Sequence, residues 1–97
     1  MDKIRNQSID NLMKVIAKMD TADDCYAFFS DLCTIKELQD MAQRFDMARL
    51  LKEGANYQSV AAEVGASSAT ISRVNRCLMY GNGGYEKAIA LFNGEKK

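Results

Sequence analysis

Between Gly65 and Leu78 the chain reads Ala-Ser-Ser-Ala-Thr-Ile-Ser-Arg-Val-Asn-Arg-Cys, a run that interleaves small hydroxyl side chains with two guanidinium groups. The methyls of Ala69 and Thr70 can meet a thymine methyl. The hydroxyls of Ser67, Ser68, Thr70 and Ser72 can bond base edges or phosphate oxygens, and Arg73 and Arg76 can grip guanine or phosphate. None of Ser68, Ala69, Thr70, Ser72 and Arg73 is bulky enough to hold a helix away from a groove floor. The chemistry on offer is recognition of an anionic, hydrogen-bonding surface rather than bond making. Any one of these groups alone reads as a solvated surface side chain, and only the constellation points to recognition.

Such residues can read a groove only if a scaffold presents them. The segment that begins at Tyr57 supplies one. Val60, Val64, Ile71 and Val74 fall where two short helices crossing steeply must bury side chains against each other, and Ala61 sits at the crossing, where a larger group would push them apart. Gly65 lies at the turn, where a positive φ would cost a residue with a Cβ about 1 kcal/mol. Ser67 is then placed to cap the second helix. These demands together describe a helix-turn-helix over about 57–78, whose second helix enters a major groove. Tyr57 and Gln58 open the first helix, whose N-terminal N–H groups favour a phosphate.

The rest of the chain reads as helix. Within residues 4–19, Ile9, Leu12, Met13, Ile16 and Met19 recur at helical spacing, with Lys14 and Lys18 on the other face. Thr21-Ala-Asp-Asp24 resembles a capping box and opens a helix with Cys25, Phe28, Phe29 and Leu32 on one stripe. Thr34-Ile-Lys-Glu37 repeats the device before a longer helix that places Leu38, Met41, Phe45 and Ala48 inward and ends at Gly54. The Gly81-Asn-Gly-Gly84 cluster is a turn, and a last helix follows with Tyr85, Ala88, Ile89 and Phe92 on its apolar side. No run shows the period of two that marks a strand. The expected architecture is all-α, six helices in one domain spanning 1–97.

Composition bounds the function. The 97 residues are 47% hydrophobic and 27% charged, too apolar for a disordered chain. No apolar stretch approaches the ~20 residues that cross a bilayer, and Met1–Ser8 lacks a signal-peptide pattern. The expected compartment is the cytoplasm, with no membrane partner. Histidine is absent, which removes the commonest general base and metal ligand. No carboxylate pair or nucleophile–base arrangement stands out, so no catalytic residue, metal site or cofactor is expected. Cys25, Cys33 and Cys77 form no C-x-x-C pair and read as small buried hydrophobes.

Net charge is zero, an awkward value for a partner of DNA. The distribution softens it. Residues 20–40 hold Asp20, Asp23, Asp24, Asp31, Glu37 and Asp40 against Lys36, which leaves the remainder of the chain basic.

With these residues in view, the sequence resembles the Trp repressor superfamily, and most closely its YerC/YecD-type branch, from about Leu12 to Phe92. The most specific parts are Leu32-Cys-Thr-Ile-Lys-Glu-Leu38, Arg44, Leu50-Leu51 with Gly54, and Gly65-Ala-Ser-Ser-Ala-Thr-Ile-Ser-Arg73. The resemblance implies a six-helix protomer that interlaces its N-terminal helices with a second copy, and regulation of transcription, most simply repression, by a homodimer on double-stranded DNA. It places Ser68, Ala69, Thr70 and Ser72 on the recognition helix, Tyr57 and Gln58 near a phosphate-contacting start, and Thr34, Arg44 and Arg73 around the indole amino acid that some members bind. In those members a glycine after the second arginine leaves room for the ring, and a hydroxyl one turn on helps hold the ligand. Here Val74 and Cys77 stand at those positions. A branched side chain there should fill the ring's volume, and a thiol is a weak hydrogen-bond partner. Tryptophan is therefore not the expected corepressor, although a different small effector could use the pocket of Thr34, Arg44, Arg73, Val74 and Cys77. The competing reading is a helical protein-interaction module that does not bind DNA, favoured by the neutral charge.

Overall fold

The computed structural model describes residues 4–94, which form six helices and, among the described residues, no strand. They are α1 (Gln7–Ala17), α2 (Ala22–Leu32), α3 (Ile35–Lys52), α4 (Tyr57–Val64), α5 (Ser68–Tyr80) and α6 (Gly84–Phe92). The chain divides into two compact units, one ending at Leu38 and the other beginning at Gln39, so the boundary falls inside α3.

Capping side chains mark most of the helix starts. Thr21 Oγ1 accepts from Asp24 N at 3.0 Å. At Thr34 the box is complete: Glu37 N donates to Thr34 Oγ1 at 3.0 Å, and Thr34 N donates to Glu37 Oε1 at 2.9 Å. The first helix starts later than the expected residue 4, because Asn6 takes an extended conformation and accepts from Ile9 N at 2.9 Å. Gly54 ends α3 with φ +100, its N–H bonded to Leu51 O and the N–H of Ala55 to Leu50 O, the paired bonds of a Schellman motif.

In the N-terminal unit α1 and α2 contain no buried residue. Ile9, Leu12, Ile16 and Met19 are half-buried along one stripe, and Phe28 meets Phe29 edge-on at 5.7 Å between centroids. The second unit holds the buried core, made of Met47 and Ala48 from α3, Val60 from α4, Ile71, Val74 and Leu78 from α5, and Ile89 from α6. Around it Arg49 lies 4.5 Å from the Phe92 ring centroid and 5.8 Å from that of Phe45, while its Nη2 donates to Asp46 at 2.9 Å. This stack ties α3 to α6, and Lys52 and Glu86 add an exposed bridge at 2.9 Å between the same helices.

The cysteines depart from expectation. Cys25 and Cys33 are half-buried and Cys77 is exposed. On α5 the core stripe is Ile71, Val74 and Leu78, and Cys77 falls about 100° round from Leu78, outside it. Its place on the helix wheel, away from the centre of that stripe, decides its exposure whatever the hydrophobicity of its side chain.

Candidate nucleic-acid interface

Two short helices and the turn between them build this surface. Asn56 caps α4 by accepting from Ser59 N at 2.8 Å, and Gly65 closes the helix in the left-handed region at φ +77, its N–H bonded to Ala61 O at 2.8 Å. Ser67 then caps α5: its Oγ accepts from Thr70 N at 3.2 Å and lies 3.1 Å from Thr70 Oγ1. The turn is held from a third side, because Gln43 Nε2 on α3 donates to Val64 O at 3.0 Å. Ala61, Val64 and Ala66 pack against the core, so the hinge between the helices is a filled junction.

The core fixes how α5 faces solvent. With Ile71, Val74 and Leu78 inward, the directly opposite line at 100° per residue carries Ala69, Arg73, Arg76 and Tyr80, with Ser72 beside it. Ser68, Asn75 and Met79 flank this line on one side, and Thr70 and Cys77 on the other. Ser68, Ala69, Arg73 and Arg76 are exposed, whereas Thr70 and Ser72 are half-buried. Neither arginine makes an ion pair or hydrogen bond among the described residues. Two uncompensated positive charges therefore project from the face that the core turns outward. Tyr57 and Gln58 are exposed at the start of α4, and Ser67 is exposed while committed to its cap.

The residues expected around an effector fall in both units. Thr34 is exposed, belongs to the N-terminal unit and serves the capping box of α3. In the second unit Arg44 is half-buried, Arg73 is exposed, and Val74 is 2% exposed within the core. Cys77 lines a cleft of about 480 Å³ together with Phe45, Gly81, Asn82, Gly84, Tyr85 and Ala88. Neither Arg44 nor Arg73 lines that cleft.

Residues 7–92 match the family model described as Trp repressor protein. The chain belongs to the Trp repressor family. It is 51% identical over 89 residues to the uncharacterized protein YerC of Bacillus subtilis (strain 168), covering 92% of this chain and 86% of that protein. Two crystal structures share its fold at 40% identity and a TM-score of 0.89. One is of a candidate Trp repressor from Staphylococcus aureus (99% of this chain, 96% of that one), and the other is of a TrpR-like protein from Eubacterium eligens ATCC 27750, with both chains covered in full. The resemblance read from Leu32–Leu38 and Gly65–Arg73 thus holds for the family and for the six-helix fold.

Several features escape a reading of the sequence. Asn56 is detectable in principle, as a capping-type residue directly before an apolar-periodic segment. Tyr80 is detectable too, since 69, 73, 76 and 80 follow the i, i+4, i+7, i+11 spacing of one helix face. The bond from Gln43 to the end of α4 spans 21 residues and leaves no local trace.

Proposed function

We propose that the chain acts as a homodimeric, sequence-specific DNA-binding regulator of transcription, most simply a repressor, that reads the major groove with α5. The observation that carries this reading is the division of α5 into a locked face and an open one. Ile71, Val74 and Leu78 are held in the core, while Arg73 and Arg76, without an ion pair among the described residues, stand on the opposite side beside small polar residues. Membership of the Trp repressor family supports the same conclusion. Dimerisation is supported by the N-terminal unit, where no residue of α1 or α2 is buried and Met13, Val15, Tyr26, Leu32 and Ile35 are exposed. Two-fold symmetry would set two copies of α5 about 34–36 Å apart, one turn of duplex.

Tryptophan does not serve as corepressor on this reading. Val74 contributes to the core as well as standing where an indole would need space. Removing it to admit a ligand would open the packing beneath the reading helix. Calorimetry checks this directly: L-tryptophan should show no sub-millimolar binding and should not tighten a DNA complex.

The experiment that tests DNA recognition is selection of duplexes from a random pool, followed by binding of variants to the selected and scrambled sequences. Ser68→Ala or Thr70→Ala should narrow the gap between selected and scrambled DNA by about 1 kcal/mol, the scale of one modest base contact. Arg76→Ala or Gln58→Ala should weaken both sequences alike. A protein that retains no duplex at low salt, or whose triple Ser68, Thr70 and Arg76 variant binds and discriminates as the parent does, is not reading DNA with α5. The neutral net charge would then favour a protein-interaction module.

A further inference from the structure

The reading helix continues well past the residues that suit base contacts. From Ala69 to Tyr80 it advances about 16 Å at 1.5 Å per residue, whereas the major groove is about 12 Å wide. Laid across the groove with its N-terminal half on the floor, such a helix brings its last turn to the groove's wall, where the neighbouring group is a phosphate.

Tyr80 is the side chain presented there. It is 81% exposed and lies on the same outward line as Ala69, Arg73 and Arg76. Gly81 ends the helix directly after it: a Cβ at that position would collide with the Cys77 carbonyl oxygen, which already accepts the Gly81 N–H at 2.8 Å. Tyr80 is thus the last residue of α5, directly before a position that has no room for a side chain. Its hydroxyl makes no hydrogen bond among the described residues. Tyr80 is the one aromatic on an outward line that otherwise carries a methyl and two guanidinium groups, and it is left open for a partner.

We infer that Tyr80 is a positioning residue for DNA: its hydroxyl donates a hydrogen bond to a backbone phosphate at the edge of the major groove and fixes how deeply α5 sits. The inference rests on the reading of α5 proposed above and extends it to a residue outside the expected recognition set. The contact carries no sequence information, because phosphates are the same at every step. It also releases no counterion, because a phenol hydroxyl brings no positive charge to the phosphate, unlike Arg76.

That difference supplies the test. Dissociation constants of the full-length parent, Tyr80→Phe, Tyr80→Ser and Arg76→Ala are measured on selected and scrambled duplexes across a salt series, with sedimentation to record the mass of each protein. Tyr80→Phe should weaken both duplexes by the same factor, about three- to tenfold for the removal of one hydrogen bond, and leave the slope of log K against log salt unchanged. Arg76→Ala should lower that slope by about 0.9 for each phosphate it no longer neutralises. Parental affinity in Tyr80→Phe, with Arg76→Ala weakened, overturns the role of Tyr80 and leaves α5 as the reader. A loss confined to the selected duplex, or one seen only in Tyr80→Ser, overturns the phosphate hydrogen bond. A changed mass in Tyr80→Ser assigns the residue to a protein interface instead. If the parent itself ignores duplex, the underlying reading fails first.

Discussion

The two units of this chain are equally helical and unequally buried. Helices α1 and α2 have caps as good as any in the molecule, at Asn6 and Thr21, yet contribute no buried residue, while the unit from Gln39 onward holds Met47, Ala48, Val60, Ile71, Val74, Leu78 and Ile89 in a common core. The contrast separates what local sequence specifies from what packing must supply. A cap and a period of 3.6 define a helix wherever they occur, but an 11-residue helix is marginal on its own in water. Its stability comes from covering its apolar face, and the first unit does not cover its own.

Substitutions in the two units test this contrast. The largest effect belongs to the core: Ile71→Ala should cost about 2–5 kcal/mol in chemical denaturation, as for other fully buried side chains cut to Ala. The matching change in the first unit is Leu32→Asp. On an isolated chain this exposed position should tolerate the change. If a second copy covers it, the loss should approach the roughly 1.5–3 kcal/mol of a buried leucine, with a fall in sedimenting mass and an unfolding midpoint that depends on concentration. An unchanged mass and midpoint in this variant would end the case for dimerisation through this face.

Smaller effects follow from single contacts. Gly81→Ala should destabilise by about 1–3 kcal/mol, the usual cost of forcing a methyl against fixed backbone, here the Cys77 carbonyl. Thr34→Ala should cost about 0.5–2 kcal/mol by opening one half of the capping box, and Thr34→Ser should restore most of it. Denaturation curves with unchanged slope would establish both as losses of stability alone.

How legible each part is in the sequence follows the range of the interactions involved. Thr34, Gly54, Gly65 and Ser67 can be read because caps and positive-φ turns are set within a few residues. The helix-turn-helix can be read because its constraints fall inside one short window. Cys77 departs from expectation because its place beside Leu78 on the helix wheel outweighs its residue type. The stack of Phe45, Arg49 and Phe92 joins residues more than forty positions apart, and the role of Gly81 depends on where a carbonyl oxygen points. Neither leaves a pattern along the chain. At the candidate site, residue types suggest Ser68, Thr70 and Arg73, helical spacing puts Tyr80 on one line with Arg73 and Arg76, and the buried stripe of α5 shows that this line faces outward.

The central claim is that two copies of α5 read duplex together, and hydroxyl-radical footprinting on a selected duplex tests it most directly. The parent protein should protect two backbone segments centred about one helical turn apart, and the triple variant Ser68→Ala, Thr70→Ala, Arg76→Ala should protect neither at the same concentration. A single protected segment would contradict the paired arrangement, and protection that survives the triple variant would contradict the assignment of α5 as the element that reads DNA.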